Sequence, residues 1–503
     1  MAGGGDRGRR RRASLDRADS GVAGRHRAGG GGAVKDEIPD IVVHDYAGSV
    51  TARYDDMRTE AALVARFADE VADAAFDLER VLIDPDLLAS AILNPGGVAK
   101  AEFELMDALN GPRGLLALAL ELKLRGIGLD TAVNVLRVAD AALAWIDDAI
   151  EWSVGYAAPY IAIATAPVWM PAAALVGGGD ELLNGGRLRE ALPGAIESFL
   201  VRNAWLVDEA AGAAPGLLTG LADLVMGPQP FMRPRTIQEA GGLLALLYRN
   251  GAGAYDRADG MTIQNTRPLV AGREVHNLLF TLNEVDKATG PNGRPVIQVR
   301  ELVTIVPGGR RVSRWIVDIP GTSKWNLPGG DVATDTSANL HSMAGHTTAY
   351  QQAIQAALAD AGAKPGQQVM LVGHSLGGMV AMQSAGGLTA SGYNVTHVLT
   401  AGSPLASYSA PPSVQVLSLE NTVDVVTRAD GKPNPTTPNW TTLTFEEQFG
   451  NVGQNHGIDT GYLDAAHAVD ASTNSSVAAW RDSLSGYLDA EPAKATVYEV
   501  HRP

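Results

Sequence analysis

The sequence predicts an α/β fold, a mainly parallel sheet with helices on both faces, preceded by a large all-helical amino-terminal region. Three observations carry this. From about Tyr46 to Gly260, Ala and Leu recur at helical spacing. Near Thr266 the pattern changes to short Val- and Ile-rich runs separated by Gly and Pro, the mark of strands and turns. Beyond residue 330 such runs alternate with helical stretches, as parallel sheets covered on both faces require.

The chain has 503 residues, 46% of them apolar and 19% charged, enough to bury a sizeable core. Its formal net charge of −16 makes nucleic acid an unexpected partner. There is no cysteine, which excludes disulfides, thiolate metal sites and a cysteine nucleophile. Residues 1–38 read as a disordered, basic, Gly/Arg-rich tail. No apolar run follows its arginines, so the reading is of a cytoplasmic protein, or one exported without a recognisable signal peptide. Residues 39–262 read as a helical domain and 263–503 as a second, catalytic domain.

In the helical half, Val64, Phe67, Val71, Ala74, Leu78 and Val81 step by three and four and predict one buried stripe. Gly126 and Gly128 read as breaks between two further helices. Residues 152–179 carry no charge, but Pro159, Pro167 and Pro171 interrupt them. Proline removes a helical hydrogen bond, so this stretch reads as a buried or interfacial element, in contact with a membrane surface rather than crossing it.

In the second half, "REVHNLLFTLNEV", "RPVIQVRELVTIV" and "SRWIVDIPGT" read as strands, the opening ones antiparallel. "TSANLHSMAGHTTAYQQAIQAALADAGA" reads as one helix. Strands are expected at "GQQVMLVGH", "NVTHVLTAGSP" and "SVQVLSLENTVD", and helices at "SLGGMVAMQSAGGLTASG" and "SSVAAWRDSLSGYL".

The stretch "VMLVGHSLGGMVA" at 369–381 places Gly-His-Ser-Leu-Gly between a strand and a helix. That is the arrangement of a nucleophile elbow, with Ser375 on a strained turn and Gly373, His374 and Gly377 around it. Gly373 and Gly377 leave room where a side chain would meet the flanking strand or helix. Leu376 offers its N–H at the helix start, where negative charge is favoured. A serine hydroxyl needs a base, and the base needs an orienting acid. In chain order Ser, acid, His, the candidates are Asp424, with Asp430 and Glu420 as competitors, and His456, in the polar, Gly-rich loop "GQNHGIDTGY", with His467 and His501 as competitors. His397 precedes any suitable acid. Thr322, in "IPGT" after a strand, is the expected second oxyanion donor, with Ser323 next to it. Trp325, Leu327 and Met343 are candidates for an apolar rim or lid. Asp331 and Asp335 are a weak Ca²⁺ pattern that the reading does not adopt; no metal and no cofactor are expected.

Together "IPGT" at 319–322, "GHSLGG" at 373–378, "TAGSP" at 400–404 and "ENTVDVV" at 420–426 resemble the α/β-hydrolase superfamily, and within it the class 3 lipases. The resemblance covers about the last 230 residues. It implies a Gly-Thr pair lining the oxyanion hole at Thr322, the nucleophile at Ser375, the acid at Asp424, and a histidine a few residues before a tyrosine, as His456 precedes Tyr462. Pro320 stands where that family usually has Arg, and "VTRAD" follows where it usually has Pro. The function expected is ester hydrolysis of a small-molecule or lipid substrate. The alternatives are a secreted effector or toxin with a phospholipase-like domain, and a non-catalytic binding module. Oligomeric state is not legible.

Overall fold

The computed structural model describes residues 39–500 except 47, 83, 91–92, 112, 185–203, 227–232, 250–260, 267–273, 288–294 and 325–331. The basic tail, His501, Trp325, Leu327 and Asp331 lie outside the described residues, as do the side chains of 161–184.

Five of the six runs read as strands in the second half form strands, and four further strands join them. β1 (Ile41–His44), β2 (Met261–Thr266), β3 (Val296–Val306), β4 (Arg310–Ile319), β5 (Gln368–His374), β6 (Asn394–Ala401), β7 (Gln415–Asn421), β8 (Trp440–Phe445) and β9 (Glu491–Val500) form one sheet in the order β1-β8-β7-β6-β5-β4-β3-β9-β2. β4 to β8 are parallel, and the outer strands are antiparallel. Successive residues on the central strands serve opposite cores. Val369 and Leu371 face one cluster, and Met370 and Val372 the other. The first core is closed by α9 (Ala349–Ala361) and α10 (Leu376–Ala390), the second by α7 (Val275–Lys287), α12 (Leu463–Ala471) and α13 (Ser475–Ser483).

Two expectations in this half are corrected. The stretch read as a strand at 273–285 is α7. Its Val275, Leu278, Leu279 and Leu282 are buried at i, i+3, i+4 and i+7. Asp470 accepts the N–H groups of Val275 and His276, which caps the helix start from a distant element. The single helix expected at 336–363 is two, α8 (Thr336–Met343) and α9, separated at Gly345 with φ +74 and capped separately by Asp335 and Thr348. β1 comes from the stretch expected to be helical, and the boundary expected at 262–263 falls inside β2.

The amino-terminal half contains α1 (Val50–Leu82), α2 (Pro85–Ser90), α3 (Pro95–Asn110), α4 (Leu115–Asn184), α5 (Trp205–Met226) and α6 (Ile237–Arg249). Gly126 and Gly128 do not break α4, and neither do its prolines. The reason for Gly126 is packing: a Cβ there would lie 3.0 Å from Ala61 O on α1. The buried residues of α1 are Ala52, Ala61, Ala68 and Ala75, the last three seven apart, and α4, which packs against α1, buries Ala119, Gly126 and Val133, also seven apart. The predicted stripe is therefore displaced, and Phe67 and Val81 are exposed. Small residues let two backbones approach closely, which leaves large side chains outside. The α4–α5 contact repeats this, with Gly155 facing Ala213 and Gly216 facing Trp152. Among the described residues no helix is long and apolar enough to cross a membrane.

Gly216→Ala should therefore destabilise the protein by about 1–3 kcal/mol, as overpacking does, because its Cβ would sit 2.8 Å from Tyr156 N. Urea unfolding followed by circular dichroism measures this.

Candidate active site

β5 delivers the chain into the elbow, and Ser375 is the only non-glycine residue among those described with positive φ (φ 55, ψ −124). The turn is held by crowding. A Cβ on Gly377 would lie 2.6 Å from Pro320 O and closer still to Ile319 O, and one on Gly373 would meet the Gly377 carbonyl. The Ser375 amide donates to Ala401 O at 3.0 Å, which ties the turn to the end of β6.

His456 ends α11 (Val452–His456), a short helix where a loop was expected. Its Nδ1 lies 2.7 Å from Asp424 Oδ2, and its Nε2 is buried without a partner. Tyr462 donates its hydroxyl to the same Asp424 oxygen at 2.7 Å, and Val426 N–H donates to Asp424 Oδ1 at 2.9 Å. Burial and the Asp424 carboxylate push the Tyr462 hydroxyl well above its ordinary range, so it stays a donor. Asn421, fully buried, donates to the carbonyls of Glu447 and Asn455 and accepts from Glu447 N–H, joining the end of β7 to the segment that carries His456.

His374 has a defined role in this packing. Its Nε2 donates to the His456 carbonyl at 2.8 Å, and the two rings lie 4.6 Å apart. Burial, reinforced by His456, drives its pKa down to about 3, so the ring is neutral with its proton on Nε2. No hydrogen bond joins Ser375 to His456.

Ile319 and Gly373 are paired in the parallel register, and Thr322 and Leu376 each stand three residues beyond them. Leu376 opens α10, so its N–H has no intrahelical acceptor. The Thr322 hydroxyl accepts from Asn339 Nδ2 at 2.9 Å, and Ser323 is tied to Thr334 through backbone and side chain. Behind this loop, Arg300 grips Asp318 with two bonds of 2.6 and 2.8 Å between β3 and β4.

The competing residues lie elsewhere. Asp430 accepts from Ala406 N–H, and Glu420 accepts from Asn434. His467 stacks on His276 at 3.6 Å, and His397 is held by Thr396 and Ser483. Asp335 caps α8, and Met343 lines a cavity of about 400 Å³ with Met382, Gln383 and Tyr408. Sequence reasoning missed Asn421, Asn455 and Asn339, whose partners are backbone atoms or residues far along the chain.

Residues 330–473 match the family model described as PGAP1-like alpha/beta domain, an α/β-hydrolase-like family. The carboxyl-terminal half has an α/β-hydrolase fold. The match includes Ser375, Asp424 and His456 and begins after Thr322. No curated protein and no solved structure matches the chain.

Two outcomes are expected. His456→Ala should abolish ester hydrolysis while His467→Ala leaves it within about threefold, as expected of a histidine remote from the acid; p-nitrophenyl butyrate assays decide it. Burial, helped by Asp430, raises the Glu420 carboxyl to about 8. Between the ordinary glutamate value of about 4.3 and that level, the folded protein keeps a proton that the unfolded chain releases, so stability falls as pH rises. Glu420→Gln should raise the melting temperature relative to wild type at pH 8 and not at pH 4.

Proposed function

We propose that the protein is a serine hydrolase of carboxylic esters, similar to the class 3 lipases. The observation that carries this reading is the 2.7 Å contact between His456 Nδ1 and the buried Asp424, which leaves Nε2 free beside the elbow. In the proposed reaction His456 takes the proton of Ser375 as its oxygen attacks the ester carbonyl. Asp424 holds the ring and stabilises its cationic form. The N–H groups of Leu376 and Thr322 receive the oxyanion, each worth about 10²–10³ in rate. His456 then protonates the departing alcohol, and water, deprotonated by the same ring, clears the acyl-enzyme. The motifs "GHSLGG", "TAGSP" and "ENTVDVV" support the lipase-like assignment.

A second reading concerns where the ester is met. Leu120, Leu124, Ile127, Val135, Val138, Trp145 and Val154 of α4 are all more than half exposed. Such a row favours contact of the helical half, including 152–179, with a lipid surface, as an effector acting on phospholipid would need.

Ser375→Ala should lose p-nitrophenyl ester hydrolysis and labelling by a fluorophosphonate, with an unchanged circular dichroism spectrum. Retained turnover removes Ser375 as the nucleophile. A wild-type chain that neither turns over nor labels would instead be a binding module. Co-flotation with phosphatidylcholine vesicles tests the second reading, and a protein left in the dense fraction argues against it.

A further inference from the structure

The turn that carries Asp424 is held from outside the α/β domain. Within the turn, Val426 N–H and the Thr427 hydroxyl donate to Asp424, the latter to its carbonyl at 2.8 Å. Arg428 donates its Nε–H to Thr422 O at 2.8 Å, two residues before Asp424. The other end of the same guanidinium forms an ion pair with Asp208, in the first turn of α5. Three residues on, Gly431 adopts φ +68, and a Cβ there would lie 2.9 Å from Gly212 N and 3.1 Å from Asp208 O. Lys432 pairs with Asp148 of α4 at 2.7 Å. A cavity of about 250 Å³ flanks this contact, lined in part by Asp208, Thr422, Thr427 and Arg428.

We infer that Arg428 is a positioning residue, and that the helical half serves the reaction by anchoring it: Asp208 fixes the guanidinium that braces the Thr422–Asp424 turn against His456. The inference rests on the reading of Asp424 as the acid of the triad. Its physical basis is the geometry of arginine. One planar group donates in two directions, so an α5 carboxylate and the Thr422 carbonyl are set at a fixed distance. A lysine donates from a single rotatable nitrogen and fixes no such separation. Because Asp424 orients His456, a small displacement of the turn moves the base away from Ser375.

The test uses the full chain. Asp208→Asn and Arg428→Lys should each lower kcat for p-nitrophenyl butyrate about tenfold with KM within about twofold, as misplacement of a catalytic group does. Both should also move the acid limb of the kcat/KM profile to lower pH, because a less well-held Asp424 stabilises the His456 cation less. Asp208→Glu, which keeps the carboxylate, should recover most of the rate. Asp130→Ala breaks a different ion pair of the helical half, with Arg58, and should leave kcat and the pH profile unchanged. The brace is wrong if Asp208→Asn and Arg428→Lys match wild type, or if Asp130→Ala lowers kcat as much as they do. The downfield proton resonance of His456 Nδ1–H gives a readout independent of turnover. It should broaden in Asp208→Asn and stay sharp in Asp130→Ala; a sharp signal in both overturns the brace even if the ester is not a substrate. Absence of wild-type turnover and labelling, by contrast, speaks against the hydrolase reading itself.

Discussion

The close approach of Gly377 to the carbonyls of Ile319 and Pro320 is the constraint on which the site depends. It places the start of α10 directly against the end of β4. The turn between β5 and α10 then has no conformation left but a sharp one, and Ser375 takes the positive φ. Strain at one residue is sustained because its neighbours are over-determined by a sheet buried on both faces. The Arg300–Asp318 pair stiffens the strand that supplies those carbonyls.

His456 and Asp424 are held by a different device, a web of buried side chains on backbone atoms. Asn421, Tyr462 and His374 each tie a segment that would otherwise be a free loop. An uncompensated buried polar group is costly, so each of these bonds also specifies one arrangement. Two ring nitrogens in this web stay unpaired, His374 Nδ1 and His456 Nε2, and the second is the one the proposed reaction uses.

How much was legible follows the range of each interaction. The elbow was, because glycine, serine and the flanking strand and helix are neighbours in sequence. Choosing His456 over His467 rested on a polar Gly-rich context, although the structure puts His456 at the end of a helix. α7 was read as a strand because its Val, Leu and Phe residues suit both, and the deciding cap comes from Asp470, nearly two hundred residues away. The α1 stripe was misplaced because large apolar residues were assumed to be the buried ones. The heptad-spaced alanines that do the packing have no such prominence. Asp208 and Arg428 could not be paired from sequence, since opposite charges that far apart carry no spacing signal.

The position of β9 has a consequence for the timing of synthesis. It lies between β2 and β3, so residues 491–500 complete a ladder whose other members leave the ribosome far earlier. Until they emerge, β3 offers a bare edge and β2 has no partner. Bare edges invite pairing with other chains. The nascent chain therefore carries an adhesive edge from the emergence of β3 until that of β9, which removes it.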